Sequence, residues 1–324
     1  MKRTLLVPIV IGAVFFSGVT VSYGESLPVQ YAETEIELVQ AEERLNKVIK
    51  DVKAQELREI TAFDDRALTD KASKQLANQK KTERTKYLQN ITTYKDFKGA
   101  ESVDEAIKNL RAKEYPVDEV FAILCKEIEA YKKTLSVDDP KKIVKHFNQK
   151  AGLIEKRSGE KTVELTFGLP AKAYSVSYSS WTKLTTAEKL LVASNPAAAL
   201  LTNSIQKKAF DYTTQKFGSN GLSDKSDGYR HGIWNALMAR DINRAWAEAI
   251  STAHEDRPQK ELNSKQADNY YGWQHKSMDL NNNKVGRGVI AWYEYSFNCS
   301  DATVKSRISA KLTNKSGGIT WLHN

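Results

Sequence analysis

The residues able to do chemistry gather in three short polar runs near the C-terminal end of the chain. The first is Asp227-Gly228-Tyr229-Arg230-His231-Gly232-Ile233-Trp234-Asn235. On a helix, the four-residue spacing of Asp227, His231 and Asn235 places them on one face, and Asp227 is expected to be the N-cap. The second run, Ala253-His254-Glu255, ends a helix expected from Arg244, which Pro258 prevents from continuing. Asp241-Ile242-Asn243 breaks the chain between them. His231 lies ten residues before Asp241 and His254 eleven after Asn243. At ~1.5 Å per residue each histidine is about 15 Å from the turn, so an antiparallel pair of helices would bring the two imidazoles level. The third run is Met278-Asp279-Leu280-Asn281-Asn282-Asn283-Lys284-Val285-Gly286-Arg287.

Two kinds of function stay open on these residues. In the first the protein is a hydrolase, with His231 or His254 as general base near working pH. Asp227 or Glu255 would orient it, and Arg230, Asn235 and Asn282 would hold a polar substrate, a developing oxyanion or the local structure. No Ser or Cys nucleophile is evident, so water would attack. A variant uses a divalent metal held by His231, His254, Glu255 and Asp279, a nitrogen and oxygen set suited to zinc or manganese. In the second the cluster is non-catalytic and joins three elements by hydrogen bonds, while the charged N-terminal region binds a partner or the cell envelope. Other chemistry is excluded. His254-Glu255 lacks the second histidine of an HExxH site, and there is no G-x-S-x-G elbow, phosphate-binding glycine loop or CxxC pair. The alternation of Asp279, Asn281 and Asn283 resembles the start of an EF-hand loop, but Lys284 stands where glycine is needed and Ile290 where glutamate is needed. The alternative for that run is an Asx-rich turn capping a helix from about Lys284.

The elements that must position these runs are mostly helical. The chain has 324 residues, 40% hydrophobic and 27% charged, a composition that folds. Residues 1–24 have the order of a secretory signal: Lys2 and Arg3, an uncharged apolar stretch over 5–21, then Ser22 and Gly24 at a cleavage site before Glu25. If uncleaved, the stretch is a membrane anchor. The protein is therefore expected to be secreted or held at the cell surface. The net charge of +9 is mixed along the chain, which does not indicate a nucleic-acid partner. Residues 25–160 read as a charged helical region, with Ile36, Val39, Leu45, Val48, Ile49 and Val52 as a narrow stripe. Thr162-Val163-Glu164-Leu165-Thr166-Phe167 and the stretch over 174–179 alternate and predict a small β-hairpin within a linker over 161–184. Thr185 and Glu188 form a capping box, which opens a C-terminal helical domain over 185–324. The fold class is thus mainly α, with one hairpin. Cys125 and Cys299 are expected to be unrelated thiols.

The three runs together resemble an uncharacterised bacterial domain family that carries Asp-x-Phe/Tyr-Arg-His-x-x-Trp-Asn, then Ala-His-Glu, then Met-Asp-Leu-x-Asn-Asn-x-x-Gly. The matches are Asp227, Tyr229, Arg230, His231, Trp234 and Asn235, then His254 and Glu255, then Asp279, Asn282 and Gly286, and the resemblance covers roughly residues 185–290. Asn281 departs from the histidine common there. Gly232, where alanine is usual, is expected to matter little beyond helix propensity. The resemblance implies a domain of exported, multi-domain surface or toxin-like proteins and supplies no activity.

Overall fold

The computed structural model describes residues 34–97, 100–136, 138–157, 178 and 180–324. Helix α1 (Glu35–Thr61) is started by the Thr34 and Glu37 capping box. The buried stripe is Leu38, Ala41, Leu45, Ile49 and Val52, recurring every three or four residues. Of the expected stripe, Ile36 is exposed and Val39 and Val48 are only half-buried, because the face that meets the core is centred on Leu38 and Ala41. Helix α2 (Lys71–Asn90) packs beside α1, with Arg84 paired to Glu56 in a buried contact at 2.6 Å. Helices α3 (Val103–Ala112), α4 (Glu119–Leu135) and α5 (Pro140–Arg157) follow.

The C-terminal elements are α6 (Thr186–Ser194), α7 (Pro196–Phe217), α8 (Lys225–Asp241), α9 (Arg244–His254), α10 (Gln259–Leu262), α11 (Gly272–Gly288) and α12 (Asp301–Ala310). Asn195 caps α7 and Pro196 occupies its first position. Nearly every side of the N-terminal half of α7 is buried, as a helix at the centre of a bundle must be. Against it pack α3, α4 and α8, and α8 also meets α9, α11 and α12. Side chains from both sides of residues 158–177 share one apolar core: Leu38, Leu45 and Phe121 belong to it together with Leu190, Trp246 and Ile308. Arg44 and Asp256 join α1 to the end of α9 at 2.7 Å.

The expected β-hairpin is corrected. No β-strand occurs among the described residues, only two isolated bridges, Lys265 with Tyr271 and Leu312 with Ile319. Residues 161–177, where most of the hairpin was expected, lie outside the described residues, but Tyr178 and Ser180 are helical. Tyr178, Trp181 and Leu184 are all buried, and the first two pack on Phe147 of α5. Their spacing of three is a helical one, so burial against α5 decides against the period-two reading of this stretch.

Two glycines bring α8 and α11 together. A Cβ on Gly286 would lie 2.3 Å from the carbonyl oxygen of Gly232 and 2.9 Å from its Cα. Gly232 is therefore part of a backbone-to-backbone crossing and not merely a weak helix former, contrary to expectation. Cys125 and Cys299 are both buried and unpaired. Reductant should leave the melting temperature unchanged, and both thiols should react with a thiol reagent only after unfolding; a melt lowered by dithiothreitol would contradict the free thiols.

Candidate functional site

The site begins with where α8 starts. Asp224, not Asp227, is the N-cap: its carboxylate accepts from the N–H groups of Ser226 at 2.9 Å and Asp227 at 3.0 Å. The expected cap is thus three residues late, because a second aspartate stands one turn earlier. The consequence is chemical. Asp227 is released from capping and turns into the interior, where it is 2% exposed. Its Oδ2 accepts from the Ser223 N–H at 2.6 Å, and Arg230 pairs with its Oδ1. One turn further, His231 Nε2 lies 3.5 Å from the same Oδ1.

Helix α11 supplies the opposing face. Asp279 and Asn283 lie in its interior, so the expected Asx-rich turn with a helix starting near Lys284 is corrected: the helix starts at Gly272. Asp279, Asn282, Asn283 and Gly286 are buried at helical spacing against α8, and that tertiary contact outweighs the turn preference of Asn. Asp279 Oδ1 is 3.3 Å from His231 Nε2.

A hydrogen-bond relay fixes the His231 ring. Arg287, which can only donate, donates to Asn235 Oδ1 at 2.8 Å. Asn235 Nδ2 then donates to Asn283 Oδ1 at 2.6 Å, and His231 Nδ1 lies 3.1 Å from that same oxygen. Since Asn283 Oδ1 accepts, His231 Nδ1 carries the proton. In the neutral ring the Nε2 lone pair therefore faces Asp227 and Asp279.

Across the site, the rings of His231 and His254 have their centroids 6.5 Å apart. His254 Nδ1 is 3.0 Å from Glu188 Oε1, while Glu188 also accepts from the Thr185 N–H at 2.7 Å. Complete burial pushes the Glu188 carboxyl up to about 8 against the opposing effect of the Thr185 N–H, Arg257 and Lys189. Burial drives the His254 imidazole well below its ordinary value, with Arg257, His231 and Arg230 acting in the same direction. Burial raises Glu255 well above the carboxylate range, helped by Asp279 and Asp227, and its Oε1 is buried without a partner. Burial likewise pushes Asp279 up to about 6. A cavity of about 40 Å³ lies among these groups, lined by Asp227, His231, His254, Glu255, Asp279 and the cations Arg230, Arg257 and Lys276. That is room for a few water-sized species.

The structure thus brings together Asp227, Arg230, His231, His254, Glu255 and Asp279 at one cavity. Asn235 stands behind His231 as part of the relay. Asn282 faces elsewhere: it donates to the Thr320 carbonyl at 2.9 Å and accepts from the Thr320 N–H at 2.8 Å, tying down the C-terminal segment. Glu188, Asn283 and Arg287 join the site without having been expected there. Glu188 was visible only as a capping residue, and the position of Asn283 four residues after Asp279 was the available signal.

A serine–histidine–aspartate order was also missed. Ser223 Oγ is 2.6 Å from His275 Nδ1, and His275 Nε2 is 3.1 Å from Asp268 Oδ1. Ser223 is fully buried and has a left-handed φ of +57°. Its N–H goes to Asp227 and its carbonyl accepts from Leu322 N–H. This relay holds the loop before α8, and the hydroxyl is out of a substrate's reach.

No curated protein and no solved structure shows significant similarity to the chain. Residues 189–316, which contain α8, α9 and α11 and stop one residue short of Glu188, match the family described as Domain of unknown function (DUF6973).

Proposed function

We propose that this is an exported hydrolase that uses water as nucleophile, with His254 as general base and Glu255 as general acid. The observation that carries the reading is their placement: His254, held by Glu188, and Glu255, with its unpartnered buried Oε1, line one cavity. Burial supports the division of roles, because it keeps the imidazole neutral and the carboxyl protonated; two neighbouring groups pushed apart in this way suit an acid–base pair. Once Glu188 ionises, above about pH 8, it accepts from His254 Nδ1–H and the ring lone pair lies on Nε2. A water in the cavity would then lose its proton to His254 as its oxygen attacks the substrate, and Glu255 would give its proton to the leaving oxygen. Arg257 and Lys276 at the wall favour an anionic ester. The cavity suits the scissile group of such a substrate rather than its whole body. Export rests on the order of Lys2, Arg3 and the apolar stretch over 5–21, and a toxin-like effector role would follow from it.

The test is turnover of carboxylic and phosphoric ester panels by the purified chain. His254→Gln and Glu255→Gln are each expected to lower kcat about 10²- to 10⁴-fold while the fold is kept, as read by circular dichroism. The second reading, a structural network, is favoured by the relay from Arg287 through Asn235 and the Asn283 side-chain carbonyl oxygen to His231. It predicts no turnover by the native chain and a stability loss of about 1–3 kcal/mol in Asn283→Ala.

A further inference from the structure

Three ligand-type atoms converge between α8 and α11, that of Asp227 being also paired with Arg230. His231 Nε2 lies 3.3 Å from Asp279 Oδ1 and 3.5 Å from Asp227 Oδ1, and the candidate ligand atoms of all three residues lie within 4.8 Å of one another. The relay from Arg287 to Asn283 puts the His231 proton on Nδ1, so Nε2 is presented as a ligand and not as a donor. Asp279 Oδ1 is buried and has no hydrogen-bond partner, in a residue 8% exposed. Facing lone pairs in a buried place repel, and what relieves them is a proton or a cation.

The spacing favours a cation. Ligand bonds of about 2.0–2.2 Å in tetrahedral array put neighbouring ligand atoms roughly 3.4 Å apart. Both His231 distances sit on that edge length and beyond the roughly 2.7–3.2 Å of an N–H···O bond. We propose that Asp227, His231 and Asp279 bind one divalent cation of the zinc or manganese class. The imidazole and two carboxylates are the donor set such ions take, and three protein ligands leave a position open toward the cavity and Glu255. His254 stays outside the ligand set, with its Nδ1 committed to Glu188. Asn283 and Arg287 act as positioning residues, fixing the tautomer of the one nitrogen ligand. Arg230 forms its ion pair with Asp227 and reaches Asp279, as Arg257 does, only through space; the ion would be the cation in direct contact with Asp279.

The test needs no substrate. The full chain, stripped with EDTA, is titrated with ZnCl2 and with MnCl2 by calorimetry. One ion per chain with a Kd below about 10 µM is expected, weakened roughly 100-fold or more in His231→Gln and Asp279→Asn and little changed in His254→Gln. Should the variants fail to fold, nitrogen-15 NMR of the native chain labelled at histidine reads the same point: one imidazole should keep its Nδ1 proton while its Nε2 resonance shifts with added zinc. Absence of stoichiometric binding, binding that survives loss of His231 or Asp279, or a His231 ring that keeps a proton on Nε2 at saturating metal would overturn the site. Since neither readout involves catalysis, a protein that binds the ion and cleaves nothing retires the hydrolase reading alone.

Discussion

Replacing Gly286 with alanine is expected to disable the site even where the chain still folds. The added Cβ would meet the Gly232 carbonyl oxygen at 2.3 Å, its Cα at 2.9 Å and its carbonyl carbon at 3.0 Å. All three are backbone atoms, so no rotamer change relieves the contact, and α8 and α11 must separate by about an ångström to restore ordinary packing. Overpacking of this kind costs about 1–3 kcal/mol. The functional cost is larger, because the same two helices hold every member of the His231 cluster. His231, Asn235 and Asp227 ride on α8, and Asp279, Asn283 and Arg287 on α11. Their contacts of 2.6–3.5 Å do not survive a shift of that size. The expected result is a lower melting temperature together with loss of metal binding and of any turnover. Gly288→Ala is the control: a Cβ there meets nothing within 4 Å, so stability should change by no more than about 1 kcal/mol. A Gly286→Ala protein with native melting temperature and intact metal binding would mean that the helices do not cross as described.

The second large effect concerns pH. Glu188 and His254 are in contact, both buried, with the carboxyl pushed up to about 8 and the imidazole pushed well below its ordinary value. Around them stand Thr185, Lys189, Arg257, His231 and Arg230. The folded pair therefore holds its proton on Glu188, whereas the unfolded chain between roughly pH 4.5 and 6.5 holds it on His254. Proton count does not change on folding in that window, so the pair makes stability flat there. Above about pH 6.5 the unfolded chain gives the proton up and the folded one keeps it. Stability then falls as pH rises toward 8, by on the order of 2 kcal/mol in total. Below about pH 4.5 the unfolded chain binds more protons and stability falls again. Glu188→Gln keeps an acceptor for the Thr185 N–H and a donor toward His254, but has nothing to ionise. Subtracting its denaturant-measured stability from that of the native chain between pH 6.5 and 8 should recover the downward slope. Parallel curves over that range would show that Glu188 ionises normally.

Much of the secondary structure could be read from local chemistry. Capping by Ser102, Thr185 and Asn195, proline at Pro196 and a helix-ending glycine at Gly218 act over three or four residues, and they locate α3, α6 and α7 in the sequence with little error. The level placement of His231 and His254 followed from equal arm lengths about one turn, which is arithmetic on a rigid rise. Local signals failed where packing competes with propensity. Asn281, Asn282 and Asn283 prefer turns when alone, but α11 is buried along that face and stays helical. The stretch ending at Ser179 alternates like a strand, yet Tyr178 and Trp181 are drawn onto Phe147.

Local spacing is enough to name the cast: which helices exist, that Asp227, His231 and Asn235 share a face, and that His254 can stand opposite. It could not determine protonation or partnership, because both depend on groups far apart along the chain. His231 takes its tautomer from Asn283, fifty-two residues away, and His254 takes its partner from Glu188, sixty-six residues away. Packing in three dimensions is what buries a protonated capping glutamate beside an imidazole, sends Asn282 to the C-terminal segment and Asn283 to the site, and lets two glycines bring α8 and α11 into contact. Hydrogen bonds and desolvation act over a few ångströms of space whatever the distance along the chain, and the close crossing of α8 and α11 sets those ångströms here.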